Sequence, residues 1–310
     1  MRDANEPASP VTDATGSSPN ATSAERAATG FDPQAVVRLE AAIDARVAAG
    51  EIPGAVLLMA RGGELVERAF GRQRPDAAQA MAIDTIFRIY SMTKPVVSVA
   101  VMMLAEAGRF LISDPVSKFL PEFRNVQVGV EVPDADGKPV LHLEPCRNEM
   151  TIQDLLRHTA GLTYEFLGDS AVQRQYAKVQ IASRERSNEE FSSTLAALPL
   201  MDQPGSVWEY SRATDVLGRL VEVVSGQSLG QFLHDEIFVP LGMHDTGFAV
   251  PRGTTPPHCR ALCARPRRRN PHARAGAATR CRHGRGRWRL DVHGHGLRPL
   301  FAVHAGQGHA

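Results

Sequence analysis

The feature that most limits what this chain can fold into is an abrupt change of composition near residue 251. From Arg252 to the end there are 13 Arg, no Lys, a single acid (Asp291) and seven of the 11 His, a local net charge of +12. The preceding 251 residues hold 22 basic and 33 acidic side chains, a net of −11, so the overall +1 describes neither part. Three of the four Cys also lie in the tail, and no helical or strand periodicity is found there. Any apolar core must therefore come from the earlier residues.

Residues 1–30 contribute little to such a core. They are rich in Ala, Ser, Thr, Pro and Asp and read as a disordered N-terminal arm. The arm has neither the basic start nor the apolar stretch of a secretory signal, and nowhere does the chain offer the roughly 20 apolar residues of a membrane span. Low cysteine usage without a disulfide framework fits a reducing compartment, so the expected location is cytoplasmic. The organisation expected is an arm over 1–30, one domain over 31–251 and an unstructured Arg/His-rich tail over 252–310.

Within 31–251, Pro33 followed by apolar residues to Val47 predicts a helix that Gly50 stops. Gly54–Ala60 and Glu64–Phe70 read as strands joined at Arg61-Gly62-Gly63, a helix-plus-hairpin start that suggests a sheet with a helix on one face. Val96–Leu104 is apolar on nearly every side, which predicts a buried helix with Pro95 in its first turn. Residues 129–149 read as an exposed excursion. Thr151 caps a short helix that Gly161 is expected to stop, 165–200 is polar and helical, and two more helices follow at about 214–224 and 228–238.

The chemistry centres on Ser91-Met92-Thr93-Lys94. Residues three apart on a helix share a face, so a hydroxyl and an amine at this spacing can meet. Serine is a poor nucleophile until a base takes its proton, and a lysine buried beside an apolar helix can be that base. The Ser91 N–H, at a helix start, could donate to a developing oxyanion. The tetrapeptide alone is a common coincidence; its place between a strand pair and a buried helix is what singles it out.

From about Phe31 to Val250 the chain resembles the serine β-lactamase-like hydrolases: class C β-lactamases, D-alanyl-D-alanine carboxypeptidases and related carboxylesterases. The resemblance rests on Phe87-Arg88-Ile89-Tyr90-Ser91-Met92-Thr93-Lys94, on Thr151 to Leu162, on Pro204-Gly205 with Tyr210-Ser211, and on Pro240-Leu241-Gly242-Met243. It implies a mixed α/β fold of the β-lactamase/transpeptidase type, an antiparallel sheet flanked by helices with a helical subdomain. It implies Ser91 as the acylated nucleophile, Lys94 as its proton acceptor and Tyr210 as the phenol of the second motif, a Y-x-N in the lactamases. Arg212 stands where that Asn belongs, which weighs against β-lactam and peptide amides and favours esters. The expected activity is hydrolysis of a small ester, without metal or cofactor. A β-lactamase or carboxypeptidase of the same fold is the enzyme alternative, and an inactive penicillin-recognising protein the non-enzymatic one. The partner expected is a small-molecule ester or amide, with no nucleic acid and no membrane.

Three further signals have blander readings. Gly226-Gln227-Ser228-Leu229-Gly230 matches a nucleophile elbow, but helical spacing before it makes Ser228 a helix cap. His158 is expected to be a packed, hydrogen-bonded histidine. His258, Cys259, Cys263, Cys281 and His283 fit no common zinc spacing. The tail itself, read one base later, permits a Gly-Gly-Leu-Met-Ser-Thr string at Trp288–Phe301 that fits the family, so a frameshift between about Pro251 and His258 is expected. On that reading the C-terminal sheet strands are missing from the chain as written. An intact frame across codons 245–260 on resequencing the gene would remove the idea.

Overall fold

The computed structural model describes residues 30–76, 78–183 and 185–248, together with the backbone of Phe301–Ala302. The expected N-terminal arm up to residue 29, the Arg/His-rich tail apart from the Phe301–Ala302 backbone, its His and Cys residues and the expected frameshift fall outside the described residues. The chain forms two compact units, the first ending at Thr85 and the second beginning at Ile86. Among the described residues no helix is long and apolar enough to cross a membrane.

The first unit is a helix on a hairpin, as expected. Helix α1 (Pro33–Ala48) starts where the Asp32 carboxylate accepts the Gln34 N–H at 2.9 Å and Pro33 takes a first-turn position. Strands β1 (Gly54–Arg61) and β2 (Glu64–Gly71) pair antiparallel from Gly54 opposite Gly71 to Arg61 opposite Glu64. Only Gly62 and Gly63 remain for the turn, both at positive φ (55° and 80°), the backbone that a two-residue hairpin needs. At the other end Gly71 is irreplaceable for space: a Cβ there would stand 2.4 Å from the Pro53 carbonyl oxygen and 2.7 Å from Val47 Cγ1. An Arg68–Glu40 ion pair at 2.7 Å joins β2 to α1.

The second unit is mostly helical. Strand β3 (Phe87–Arg88) leads through a single 3₁₀ turn to α2 (Thr93–Glu106). After two further 3₁₀ turns come β4 (Gln127–Pro133) and β5 (Pro139–Pro145), then α3 (Ile152–Arg157), α4 (Ala171–Lys178), α5 (Asn188–Ala196), α6 (Ala213–Ser225) and α7 (Leu229–Leu233). Helix α7 runs into a widened turn at His234–Phe238. Strand β6 (Phe301–Ala302) pairs antiparallel with β3. Helices α2 and α6 form the centre, with Val97, Ala100, Val101 and Leu104 of the first and Val216, Leu217, Leu220 and Val221 of the second all buried.

Four details differ from expectation. Helix α2 is not buried on every side: Val99 and Met102 are about half exposed, at 49% and 47%, because burial follows the 97, 100, 101, 104 stripe that one helix face presents. The segment 129–149 is largely exposed but not irregular. It belongs to a β4–β5 hairpin in which Val128, Val130 and Val132 alternate, and the Asp134 carboxylate accepts the N–H groups of Asp136 and Lys138 across the loop. Helix α3 has the Thr151–Asp154 capping box, yet it ends at His158 (φ 59°) and not at Gly161. Gly161 (φ 75°) is needed elsewhere, since a Cβ there would stand 2.1 Å from the Asp202 carbonyl oxygen. The polar 165–200 stretch divides into α4 and α5, each opened by its own capping box from Ser170 and Ser187. Ser228 caps α7 by accepting the Gln231 N–H at 3.3 Å, so it is not on an elbow.

Candidate active site

Ser91 lies in the 3₁₀ turn Tyr90–Met92, closed by the Met92 N–H donating to the Ile89 carbonyl at 2.9 Å. Tyr90 adopts φ 42°, an uncommon backbone for a residue with a Cβ, and this turn re-aims the chain between β3 and α2. Lys94 is the second residue of α2, so the S-x-x-K spacing straddles a helix start as the sequence suggested. Both side chains are half-buried.

Tyr210 stands between them. Its O–H donates to Ser91 Oγ at 2.9 Å, and Lys94 Nζ donates to the same phenol oxygen at 2.6 Å. Lys94 Nζ also lies 4.3 Å from the centre of the Tyr210 ring. The three residues singled out in the sequence are therefore in one hydrogen-bonded group. What differs is the wiring, because the hydrogen bond of Lys94 ends on the phenol that touches Ser91. Burial lowers the Lys94 pKa to about 8; the Asp215 carboxylate opposes this and the Arg212 charge adds to it. Burial also raises the Tyr210 phenol, against the lowering effect of its bond to Ser91, with Asp215 raising it further.

The loop bearing Tyr210 is gripped from two sides. On one side the His158 carbonyl accepts the Glu209 N–H at 2.9 Å, and the Ser211 N–H donates to His158 Nδ1 at 3.2 Å. Accepting that bond leaves the neutral ring's proton on Nε2. The ring packs on Tyr210 at 5.2 Å and on Trp208 at 6.3 Å between centres. Burial, then the Lys94 charge, lowers the His158 pKa to about 4, so the imidazole is neutral near pH 7. This is the packed role read from the sequence, and the left-handed backbone at His158 is what turns its carbonyl and ring towards the loop.

On the other side are residues that sequence reasoning passed over. The Thr163 hydroxyl donates to the Glu209 carboxylate, the Tyr164 ring lies 5.5 Å from that of Tyr210, and Glu165 pairs with Arg212 at 2.7 Å. Arg212 has no exposed surface, and Asp215, in the first turn of α6, is also buried. The mismatch with Y-x-N flagged Arg212, but no local signal pointed to Thr163, Tyr164 or Glu165. Among the described residues no three His, Cys, Asp or Glu side chains cluster as metal ligands would.

Comparison with known proteins bears on the family and the fold. The sequence model of the family described as Beta-lactamase matches residues 39–298. Esterase EstB of Burkholderia gladioli is 38% identical over 214 residues, covering 68% of this chain and 51% of EstB. Protein Rv1367c of Mycobacterium tuberculosis is 37% identical over 203 residues, 65% of this chain and 49% of that protein. Among solved structures, unliganded simvastatin synthase (LovD) from Aspergillus terreus superposes with a TM-score of 0.61 at 31% identity, over 74% of this chain and 58% of LovD. This chain spans about half the length of the curated relatives it matches. With the mixed α/β fold and a family match over most of its length, the chain belongs to the beta-lactamase family.

Proposed function

We propose that this chain carries the acyl-transfer site of a serine esterase, in which Ser91 is acylated by a small ester and Lys94 and Tyr210 move the protons. The observation that supports this most is the Lys94–Tyr210–Ser91 hydrogen-bonded series, with a lysine whose pKa of about 8 leaves an appreciable neutral fraction near neutrality. Once Lys94 is neutral both hydrogen bonds run the other way, Ser91 O–H to the Tyr210 oxygen and Tyr210 O–H to Lys94 Nζ, so Ser91 Oγ attacks the ester carbonyl carbon as its proton passes to the Tyr210 oxygen and the Tyr210 proton passes to Lys94. The Ser91 N–H donates to the oxyanion of the tetrahedral intermediate. Collapse breaks the bond to the alkoxide, which takes a proton back through Tyr210 and leaves as alcohol. Water then attacks acyl-Ser91 along the same route in reverse, releasing the carboxylic acid and restoring the hydroxyl.

Esters are favoured over amides by the burial of Arg212. The position that would offer an Asn to an amide instead holds a guanidinium with no exposed surface, tied to Glu165. Transfer of the acyl group to an alcohol instead of water is a second reading, favoured by similarity to acyltransferase mokF of Monascus pilosus, 33% identical over 224 residues. The test is incubation with p-nitrophenyl butyrate followed by intact-mass and peptide analysis. A butyryl adduct on Ser91, absent in Ser91→Ala, with turnover of the ester exceeding that of a chromogenic cephalosporin, is expected. Faster release of p-nitrophenol with an added alcohol, together with a new ester product, selects transfer. Acylation elsewhere, or an equal rate in Ser91→Ala, overturns the proposal.

A further inference from the structure

Two short strips of chain lie side by side behind the Ser91–Tyr210–Lys94 hydrogen bonds. Thr163 bonds to Glu209, the Tyr164 ring contacts the Tyr210 ring, and Glu165 pairs with Arg212. Rung by rung, 163–165 grips 209–212, and the middle rung is the ring whose phenol meets Ser91. The Tyr164 ring is itself held: the Arg212 guanidinium carbon lies 4.7 Å from its centre, within cation–π range. Arg212 is fully buried, and its Nη2 bonds Glu165 at 2.7 Å while Nε and Nη1 have no hydrogen-bond partner among the described residues. The buried Asp215 carboxylate is a second counter-charge to Arg212, and since replacing a whole buried charge cluster by apolar residues of similar volume is often neutral or stabilising, packing alone does not account for charge here.

We propose that Arg212, anchored by Glu165, is a positioning residue of the acyl-transfer site: it presses the Tyr164 ring against Tyr210 and so holds the phenol oxygen between Ser91 and Lys94. The proposal rests on the esterase reading of Ser91, Lys94 and Tyr210. Arginine suits the task because its planar cation can stack on a ring and bind a carboxylate together, which a lysine cannot do in one geometry. Lys94 also lies within the electrostatic reach of the Arg212 charge.

The double variant Arg212→Met with Glu165→Gln removes the ion pair at similar volume but leaves the buried Asp215 carboxylate without the Arg212 counter-charge, and Tyr164→Leu removes the ring while keeping the pair. Three readouts on the full chain are compared: the thermal unfolding midpoint, the rate of Ser91 acylation by p-nitrophenyl butyrate, and ζ-¹³C tyrosine NMR. With four tyrosines in the chain the Tyr210 signal is identified by its loss in Tyr210→Phe. In the double variant a lower unfolding midpoint is expected because Asp215 loses that counter-charge, and at temperatures well below that midpoint kcat is expected down by about tenfold to a hundredfold, KM little changed and the Tyr210 signal shifted or broadened. If the double variant does not fold, Tyr164→Leu is expected to show the same loss and the same shift. A folded variant of either kind with wild-type kcat and an unmoved Tyr210 signal overturns the positioning role. Acylation at the wild-type rate in Tyr210→Phe removes the acid–base reading and this proposal with it.

Discussion

The two units hold together in different ways. In the first, α1 buries no side chain, and among the described residues up to Thr85 the buried apolar groups are Val66, Phe70 and Met81. Its cohesion comes from the hairpin ladder, from ion pairs such as Arg68–Glu40, and from the close backbone approach at Gly54 and Gly71. In the second, apolar residues from α2, α3, α5, α6 and α7 form one contiguous core. Dense packing is what allows polar groups to be dry. Arg212, Asp215 and the partly desolvated Lys94 all belong to the second unit, where low local dielectric makes each charge strongly felt by its neighbours. A perturbed lysine of this kind could not be built on the exposed hairpin.

The sharpest break in that contrast comes from the site. Tyr210→Phe removes the phenol between Ser91 and Lys94 and is expected to slow acylation by about 10²–10⁴, with unfolding little changed. In the wild type the acylation rate is expected to rise with pH and level off above about pH 8. The neutral Lys94 amine is the competent form, and its proton is lost as pH rises through that value. A flat profile across pH 6–9 would exclude Lys94 as the acceptor.

Core truncation should separate the units next. Leu155→Ala, at a position with no exposed surface, is expected to cost about 2–5 kcal/mol in urea unfolding. Val37→Ala in α1, where the side chain is 62% exposed, is expected to stay within about 0.5 kcal/mol. Equal effects would mean that the first unit has a core of its own. The first unit should instead be vulnerable at its glycines. Gly71→Ala adds a Cβ against the Pro53 carbonyl at a positive φ and is expected to destabilise by about 2–3 kcal/mol. Gly63→Ala has the same backbone constraint but open space, so about 1–2 kcal/mol is expected.

Acid provides the mildest probe. The His158 pKa in the folded chain, about 4, lies below its ordinary 6.5, so between these values the unfolded chain binds more protons. Stability should therefore fall as pH drops from about 6.5 to about 4, and His158→Gln should make that decline shallower. An unchanged slope in the variant would assign the acid sensitivity to other groups.

Much of this was legible in the order of residues. The S-x-x-K spacing at a helix start, the Gly-Gly hairpin, the Thr151 cap and the role of Ser228 all depend on groups a few residues apart, where backbone geometry leaves few choices. The β4–β5 hairpin was missed because prolines and charges at its ends outweighed a short alternation of valines. The left-handed residue that ends α3 was assigned to Gly161 on conformational freedom alone, whereas Gly161 is required by its approach to Asp202. Tyr210 could be named from its motif, but its position between Ser91 and Lys94 joins residues 119 and 116 apart in sequence. That placement, like the burial of Arg212 against Glu165 and Tyr164, was decided by how α2, α3 and α6 pack. Local spacing sets which side chains share a turn or a face; only the folded core brings distant turns to one point and strips away the water that would otherwise screen their charges.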